Sequence, residues 1–375
     1  MIIGVLKESD NDKRVALLPE VVLALTKKKV TVLVEKDAGI KAYSSNVDYE
    51  AAGAQIVSKS ELIDRSELLI KINPPTDEEF LLIKGIKILV SQFNPLMNHD
   101  LVKKIAASNI TSFSLDVIPR TSRAQAMDIL SSMATVNGYK AVLTAANTLP
   151  KFFPMFMTAA GTITPAKVLI LGAGVAGLQA IATSRKLGAV VHVFDVRAAV
   201  KEEVIGLGGK FVEVEGATDD KAAGGYAVEQ SEEFKKRQAD AIHNQALKSD
   251  VIICTAQIPG KTAPLLLKKE TVESMKPGSV IIDLAASTGG NCELTRDGET
   301  IIHGGVNIIG NSNFANDMPS DASKMFGKNV LNFLNLMISP EGELNLNWED
   351  DLIKGTCVTR NKEIVHERIK SLTNQ

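Results

Sequence analysis

The stretch AKVLILGAGVAGLQAIATSRKLGAVVHVFDV, residues Ala166–Val196, decides the fold. Its apolar run reads as a buried strand that ends at Gly172, and Gly172, Gly174 and Gly177 fit G-x-G-x-x-G ahead of a helix rich in Ala and Leu. The first glycine allows a tight turn, the second lets the backbone approach a pyrophosphate, and the third lets helix and strand pack closely. The helix N-terminus adds N–H groups and a partial positive charge for phosphates. A second strand carries Asp195 near its end, 18 residues beyond Gly177, where an acid can bind both hydroxyls of an adenosine ribose. A carboxylate there repels a 2'-phosphate, so NAD is expected over NADP, although Arg197 is a nearby group that would accept one. The candidate nucleotide residues are therefore Gly172, Gly174, Val175, Ala176 and Gly177 in the turn, with Asp195, Val196 and Arg197 at the next strand end.

Outward from this unit, the first 120 residues alternate apolar runs (IIGVL, VTVLVE, ELLIKI, IKILVSQ, ITSFSLDVI) with helical patterns (PEVVLALTKKK, DYEAAGAQ, TDEEFLLI, HDLVKKIAASN). Such alternation predicts a doubly wound α/β sheet. From about Thr121 to Leu149 the pattern turns continuously helical, which suits a connector. After the nucleotide unit come KFVEV, SDVIICTA, SVIIDLA and VNIIG, and then helical DASKMFGKNVLNFLNLMI. The chain of 375 residues is too long for one ordinary core. The expected fold class is α/β, with two doubly wound (Rossmann-like) domains separated by a cleft and joined by long helices. The expected boundaries are 1–125 with 325–375 for a discontinuous first domain, and 126–324 for the nucleotide domain.

Composition excludes several function classes. The chain is 45% hydrophobic and 23% charged with a formal net charge of -2, which gives no reason to expect nucleic acid or an anionic membrane as partner. Cys254, Cys292 and Cys357 are far apart and odd in number, so neither a metal cluster nor a disulfide framework is expected. The start of the chain lacks a signal-peptide pattern, and the longest apolar run, FFPMFMTAAGTI, is too short to span a membrane. No metal and no direct membrane insertion are expected, and the location is cytoplasmic.

Two further segments carry polar groups of interest. PRTSRAQAMDILSSM, from Pro119, places Arg120, Arg123, Gln125 and Asp128 in what reads as a helix start, where a solvated face is the ordinary explanation. Glu213 to Phe234 shows no clean period before a charged helix; it is either a lid hinged at Gly224 and Gly225, with Tyr226 packing on what it covers, or a solvated insertion.

Together, KRVALLPE, PRTSRAQAMDILSS, LILGAGVAGLQAI, FDVRAAVKEEV, GGYA, IPGKTAPLL, SVIIDLAASTGGNCEL and DASKMFGKNVLNFL resemble the NAD(H)-binding component (domain I) of proton-translocating nicotinamide nucleotide transhydrogenases. More closely, the chain looks like the separate soluble alpha subunit found where that enzyme is split into three polypeptides. The resemblance implies NAD(H) on this chain, NADP(H) on a partner subunit, direct hydride transfer between them, and membrane-spanning subunits that couple transfer to proton movement. It also implies a homodimer held at the inner membrane through its partners. Arg120, Gln125 and Asp128 fall on the family's nicotinamide-facing loop, Asp195 on the ribose acid, and Tyr226 on the mobile loop. Ser131, Gln238, Thr255 and Ala256 fall on polar and backbone contacts near the nicotinamide. Arg123 matches no role and reads as surface.

Alanine dehydrogenase, a similar free-standing enzyme, is the alternative. It uses an arginine near the N-terminus, a lysine at a strand end and a histidine on the next strand. Arg14 and Lys71 match the first two, but a gapless reading puts Asn94 at the histidine position. Without imidazole there, proton delivery to an imine loses its acid–base group. A non-catalytic NAD-binding regulator is the third reading, and it would have no use for Gln125 and Asp128.

Overall fold

The computed structural model describes residues 1–83, 88–216 and 231–373. In chain order its strands are β1 (Ile2–Val5), β2 (Thr31–Glu35), β3 (Gln55–Val57), β4 (Leu68–Ile70), β5 (Ile88–Ser91), β6 (Thr111–Ser114), β7 (Phe156–Thr158), β8 (Gly161–Ile163) and β9 (Lys167–Leu171). They continue as β10 (Val190–Phe194), β11 (Lys210–Phe211), β12 (Val251–Cys254), β13 (Val280–Asp283), β14 (Thr300–His303), β15 (Val306–Gly310), β16 (Cys357–Arg360) and β17 (Glu363–Ile364). The chain divides into a first unit, Met1–Met133 with Asn316–Gln375, and a second, Ala134–Ala315.

The first unit holds a sheet in the order β17-β16-β6-β5-β4-β1-β2-β3. Strands β1 to β6 run parallel, whereas β16 is antiparallel to β6 and β17 to β16. Parallel sheets need both faces covered. Here Leu33 and Leu89 pack with Leu62, Val102 and Ile105, while their neighbours Val32, Val34 and Val90 are equally buried. Side-chain caps set where the helices begin: Ser45 and Thr76 each close a capping box ahead of Asn46–Ala51 and Asp77–Leu82. Strands β3, β16 and β17 were not marked by the sequence pattern, because they are short and mix Gln, Thr, Arg and Glu with their apolar residues.

The second unit holds a sheet in the order β11-β10-β9-β12-β13-β15-β14, parallel except for the edge strand β14. Its central strand β9 shows why the motif decides the fold. Val168 and Ile170 join Ala141, Ala145 and Ile181 on one face, and Leu169 and Leu171 join Ile242 and Ala246 on the other.

One expectation needs correction. The run read as continuously helical from Thr121 is broken: a 3-10 turn, Ser122–Met127, precedes an α-helix at Ile129–Thr148. Asp128 lies between them with an extended ψ of 92°, and its Oδ1 accepts from the Ser131 N–H at 2.9 Å, so it caps the α-helix and separates it from the turn. FFPMFMTAAGTI contains the antiparallel hairpin β7–β8, with Gly161 at φ +114° closing a tight turn and Met157 80% exposed. By contacts the division falls after Met133 and after Ala315, where 125 and 324 were expected, with the first unit discontinuous. The helix Pro319–Leu334 packs on the Ser122–Met127 turn, which draws both into the first unit.

Candidate functional site

In the second unit, the glycines at the carboxyl end of β9 meet different surroundings. A Cβ on Gly177 would lie 2.0 Å from the Gly172 carbonyl oxygen, and one on Gly172, at φ +103°, would lie 2.6 Å from Thr255 Oγ1. A Cβ on Gly174 would meet nothing within 4 Å. The turn is thus closed at its first and third glycines and open at its second, where the helix Val175–Lys186 begins with Val175 exposed. Helix geometry leaves the first-turn N–H groups without intrahelical acceptors there. Gly138 was not singled out from the sequence, yet a Cβ on it would lie 2.2 Å from the Ala176 carbonyl oxygen. A glycine inside a helical pattern was the available signal.

Asp195 follows β10 with its side chain 6% exposed. Oδ2 accepts from the Ala173 N–H (2.7 Å) and Arg197 Nη2 (2.7 Å), and Oδ1 from the Arg197 N–H (2.8 Å) and Nε (2.9 Å). The carboxylate therefore spans the glycine turn and the Val196–Arg197 corner, and Arg197 is forked onto it. After β12, the Thr255 hydroxyl donates to the Gly172 carbonyl at 3.0 Å. Ala256 is held through both backbone groups by Asn291, and Asn291 is itself held by Asp283. Asn291 and Asp283 are supporting residues that the sequence did not reveal, since only the fold brings them to Ala256. Cys254, fully buried, has its thiol pushed well up by burial and is no nucleophile. Gln238 sits half-buried on the helix Glu232–Ala246. Tyr226, with Gly224 and Gly225, lies outside the described residues.

In the first unit, Arg120 and Gln125 are exposed and Asp128 is half-buried. The Asp128 carboxylate is engaged by Ser131, through the N–H on Oδ1 and the hydroxyl on Oδ2 at 2.6 Å. Arg123 is half exposed, yet it forms ion pairs with Asp350 and, at 3.1 Å, with Asp351. It is a tethered residue, where a free solvated one was expected.

A second polar group fills the carboxyl ends of β1 and β4. Arg14 is forked onto Asp12, with Nε at 2.9 Å and Nη2 at 2.5 Å, and Lys71, 1% exposed, binds Glu79 at 2.6 Å. Glu8 accepts from the Ile72 N–H at 2.6 Å and from Asn73 Nδ2 at 3.0 Å. Burial pushes its carboxyl up to about 7, against the pull of Lys71 and these hydrogen bonds. Asp12 is held low despite its burial, because Arg14 donates to it. Asn94 follows β5 with φ +45°, a conformation that asparagine tolerates well, and its N–H donates to Asp116.

Among the described residues, no helix is long and apolar enough to cross a membrane. Residues 4–137 match the model "Alanine dehydrogenase/PNT, N-terminal domain" and residues 141–367 match "Alanine dehydrogenase/PNT, C-terminal domain". The chain is 45% identical over 364 residues to an NAD(P) transhydrogenase subunit alpha chain of Rhodospirillum rubrum, covering 95% of each. A solved structure of transhydrogenase from Sinorhizobium meliloti matches with a TM-score of 0.89 at 39% identity, over 97% of this chain and 100% of that one. Alanine dehydrogenase of Bacillus subtilis is more distant, 28% identical over 380 residues and 98% of this chain against 94% of its own. The chain belongs to the alanine dehydrogenase/PNT family, and within that family it is nearer to the transhydrogenase alpha subunits than to alanine dehydrogenase.

Proposed function

We propose that this chain is the NAD(H)-binding component of a proton-translocating NAD(P) transhydrogenase, passing hydride to NADP+ held on a partner subunit. Gly174, Val175 and Ala176 receive the pyrophosphate, with Gly172 and Gly177 closing the turn. The ribose hydroxyls bind Asp195 in place of the Arg197 fork. Arg120, Gln125 and Asp128, with Ser131, hold the nicotinamide end. Bound there, NADH supplies the hydride. Transfer between two nicotinamide rings needs no general acid or base, only positioned rings and excluded water. A homodimer, peripheral to the membrane through its partners, completes the reading.

The observation that carries this choice over an amino-acid dehydrogenase is the polar group at β1 and β4. Arg14 and Lys71, the two residues that could bind a keto-acid carboxylate, are each occupied by a carboxylate of their own unit, Asp12 and Glu79. Asn94, in its left-handed turn, supplies no imidazole. NADH oxidation by the purified chain separates the readings. With pyruvate and ammonium alone no oxidation is expected; with an NADP analogue and the NADP(H)-binding component, oxidation is expected. The reverse pattern would overturn the assignment.

A further inference from the structure

The segment Pro119–Asp128 has a helical sequence pattern but not a helical fold. It forms a 3-10 turn over Ser122–Met127, and Asp128 ends it with ψ 92°. Hydrogen bonds in such turns are poorly aligned, and runs longer than three or four residues are uncommon. Beyond the local cap at Asp128, contacts from outside the segment hold it in place.

Three ties do so, all from the stretch between Pro319 and Thr356. Asn329 Nδ2 and Asn332 Nδ2 both donate to the Ala126 carbonyl, at 2.8 and 2.9 Å. An α-helix carried back through this stretch would give that carbonyl a backbone donor four residues on, but here both its lone pairs are taken by side-chain amides. Arg123 pairs with Asp350 and Asp351; Asp350 in turn caps the helix Asp351–Thr356, accepting from the Leu352 N–H at 2.9 Å. At Gly355 a Cβ would lie 2.4 Å from Pro119 Cγ, so this short helix sits directly on the residue before Arg120.

We propose that Arg123, Asn329 and Asn332 are positioning residues for hydride transfer, holding the Pro119–Asp128 backbone in the conformation that presents Arg120, Gln125 and Asp128. The inference rests on the reading of those three as the nicotinamide-holding residues. None of the positioning residues touches nucleotide in this scheme, and they act through the backbone at Ala126 and through the Arg123 side chain.

The test uses the full chain with the NADP(H)-binding component. It measures the single-turnover rate of transfer from saturating NADH to an NADP analogue, the NADH dissociation constant by titration, and thermal unfolding. The variants are Arg123→Ala, Asn332→Ala, their combination, Arg123→Lys as the conservative replacement, and Asp128→Asn. A small misplacement of reacting groups costs on the order of tenfold to a hundredfold. The double variant should therefore lose at least about tenfold in transfer rate, with the NADH dissociation constant unchanged, and Arg123→Lys should recover some of what Arg123→Ala loses. If the double variant transfers normally while Asp128→Asn is impaired, the positioning role is wrong. If its loss only follows weaker NADH binding or unfolding, the residues are merely structural and the role is again wrong. If Asp128→Asn itself transfers normally, the underlying site reading fails, and this inference with it.

Discussion

The two sheets are built on the same strand order and use it for opposite purposes. Counting only the parallel strands of each sheet, β11-β10-β9-β12-β13-β15 in the second unit runs as 3-2-1-4-5-6, and β3-β2-β1-β4-β5-β6 in the first does the same. Ligands of open α/β sheets gather where that order reverses, at the carboxyl ends of strands 1 and 4. At β9 and β12 that point carries a glycine turn, bare backbone at Gly174 and an open helix start. At β1 and β4 it carries Glu8, Asp12, Arg14, Asn73 and Lys71, bonded to one another or to Glu79. One crevice presents open backbone and the other is filled with charges the chain supplies itself. Topology thus fixes where a site can be, and the side chains at that point fix whether there is one.

Emptying the filled crevice is the most forceful way to break this contrast. Lys71→Met leaves Glu79, 2% exposed, with Lys59 and the Thr76 N–H but without its closest partner. Removing one member of a buried pair costs about 3–5 kcal/mol. Thermal unfolding should therefore show a large loss of stability, and unchanged stability would mean that the crevice is not held by this pair.

The open crevice is tested by two glycines that meet unequal space. Gly177→Ala drives a methyl against the Gly172 carbonyl, and overpacking of this kind costs about 1–3 kcal/mol. It should lower the unfolding temperature and weaken NADH binding together. Gly174→Ala has open space and a φ of -78°, so it should leave unfolding unchanged and weaken binding alone. Equal effects of the two on stability would contradict the open-and-closed description of the turn.

The smallest effect concerns pH. Burial pushes the Glu8 carboxyl up to about 7 in the folded unit from 4.5 for the free side chain, against the pull of Lys71 and with a smaller push from Asp12. The folded state then holds a proton that the unfolded state has released. Its contribution to stability is complete below about pH 4.5 and is lost as pH rises through about 7. Relative to Glu8→Gln, which stays neutral, the wild-type chain should lose stability across that window. Parallel pH profiles of unfolding temperature for the two proteins would show that Glu8 is not desolvated as the crevice requires.

Much of this was legible in advance where the physics is local. Continuous apolar runs marked the buried parallel strands, and the spacing of Gly172, Gly174 and Gly177 marked the turn, because turn geometry depends on neighbours in sequence. Reading failed where partners come from far along the chain. Helical periodicity ran straight through Asp128, where the local cap is joined by Asn329 and Asn332, some 200 residues on. Arg123 read as surface because its partners, Asp350 and Asp351, are invisible from its own neighbourhood.

By itself, then, the sequence determined the α/β class, the glycine turn with its acid at Asp195, and the absence of an imidazole at Asn94, since each depends on residue identity and short-range geometry. Only the tertiary structure decided that Lys71 is occupied by Glu79, that Asn291 and Asp283 hold Ala256, and that Pro119–Asp128 is a tethered turn and not the start of a helix. Those outcomes turn on which side chains reach the same few ångströms of space, and strand order and helix packing settle that after local preference has been spent.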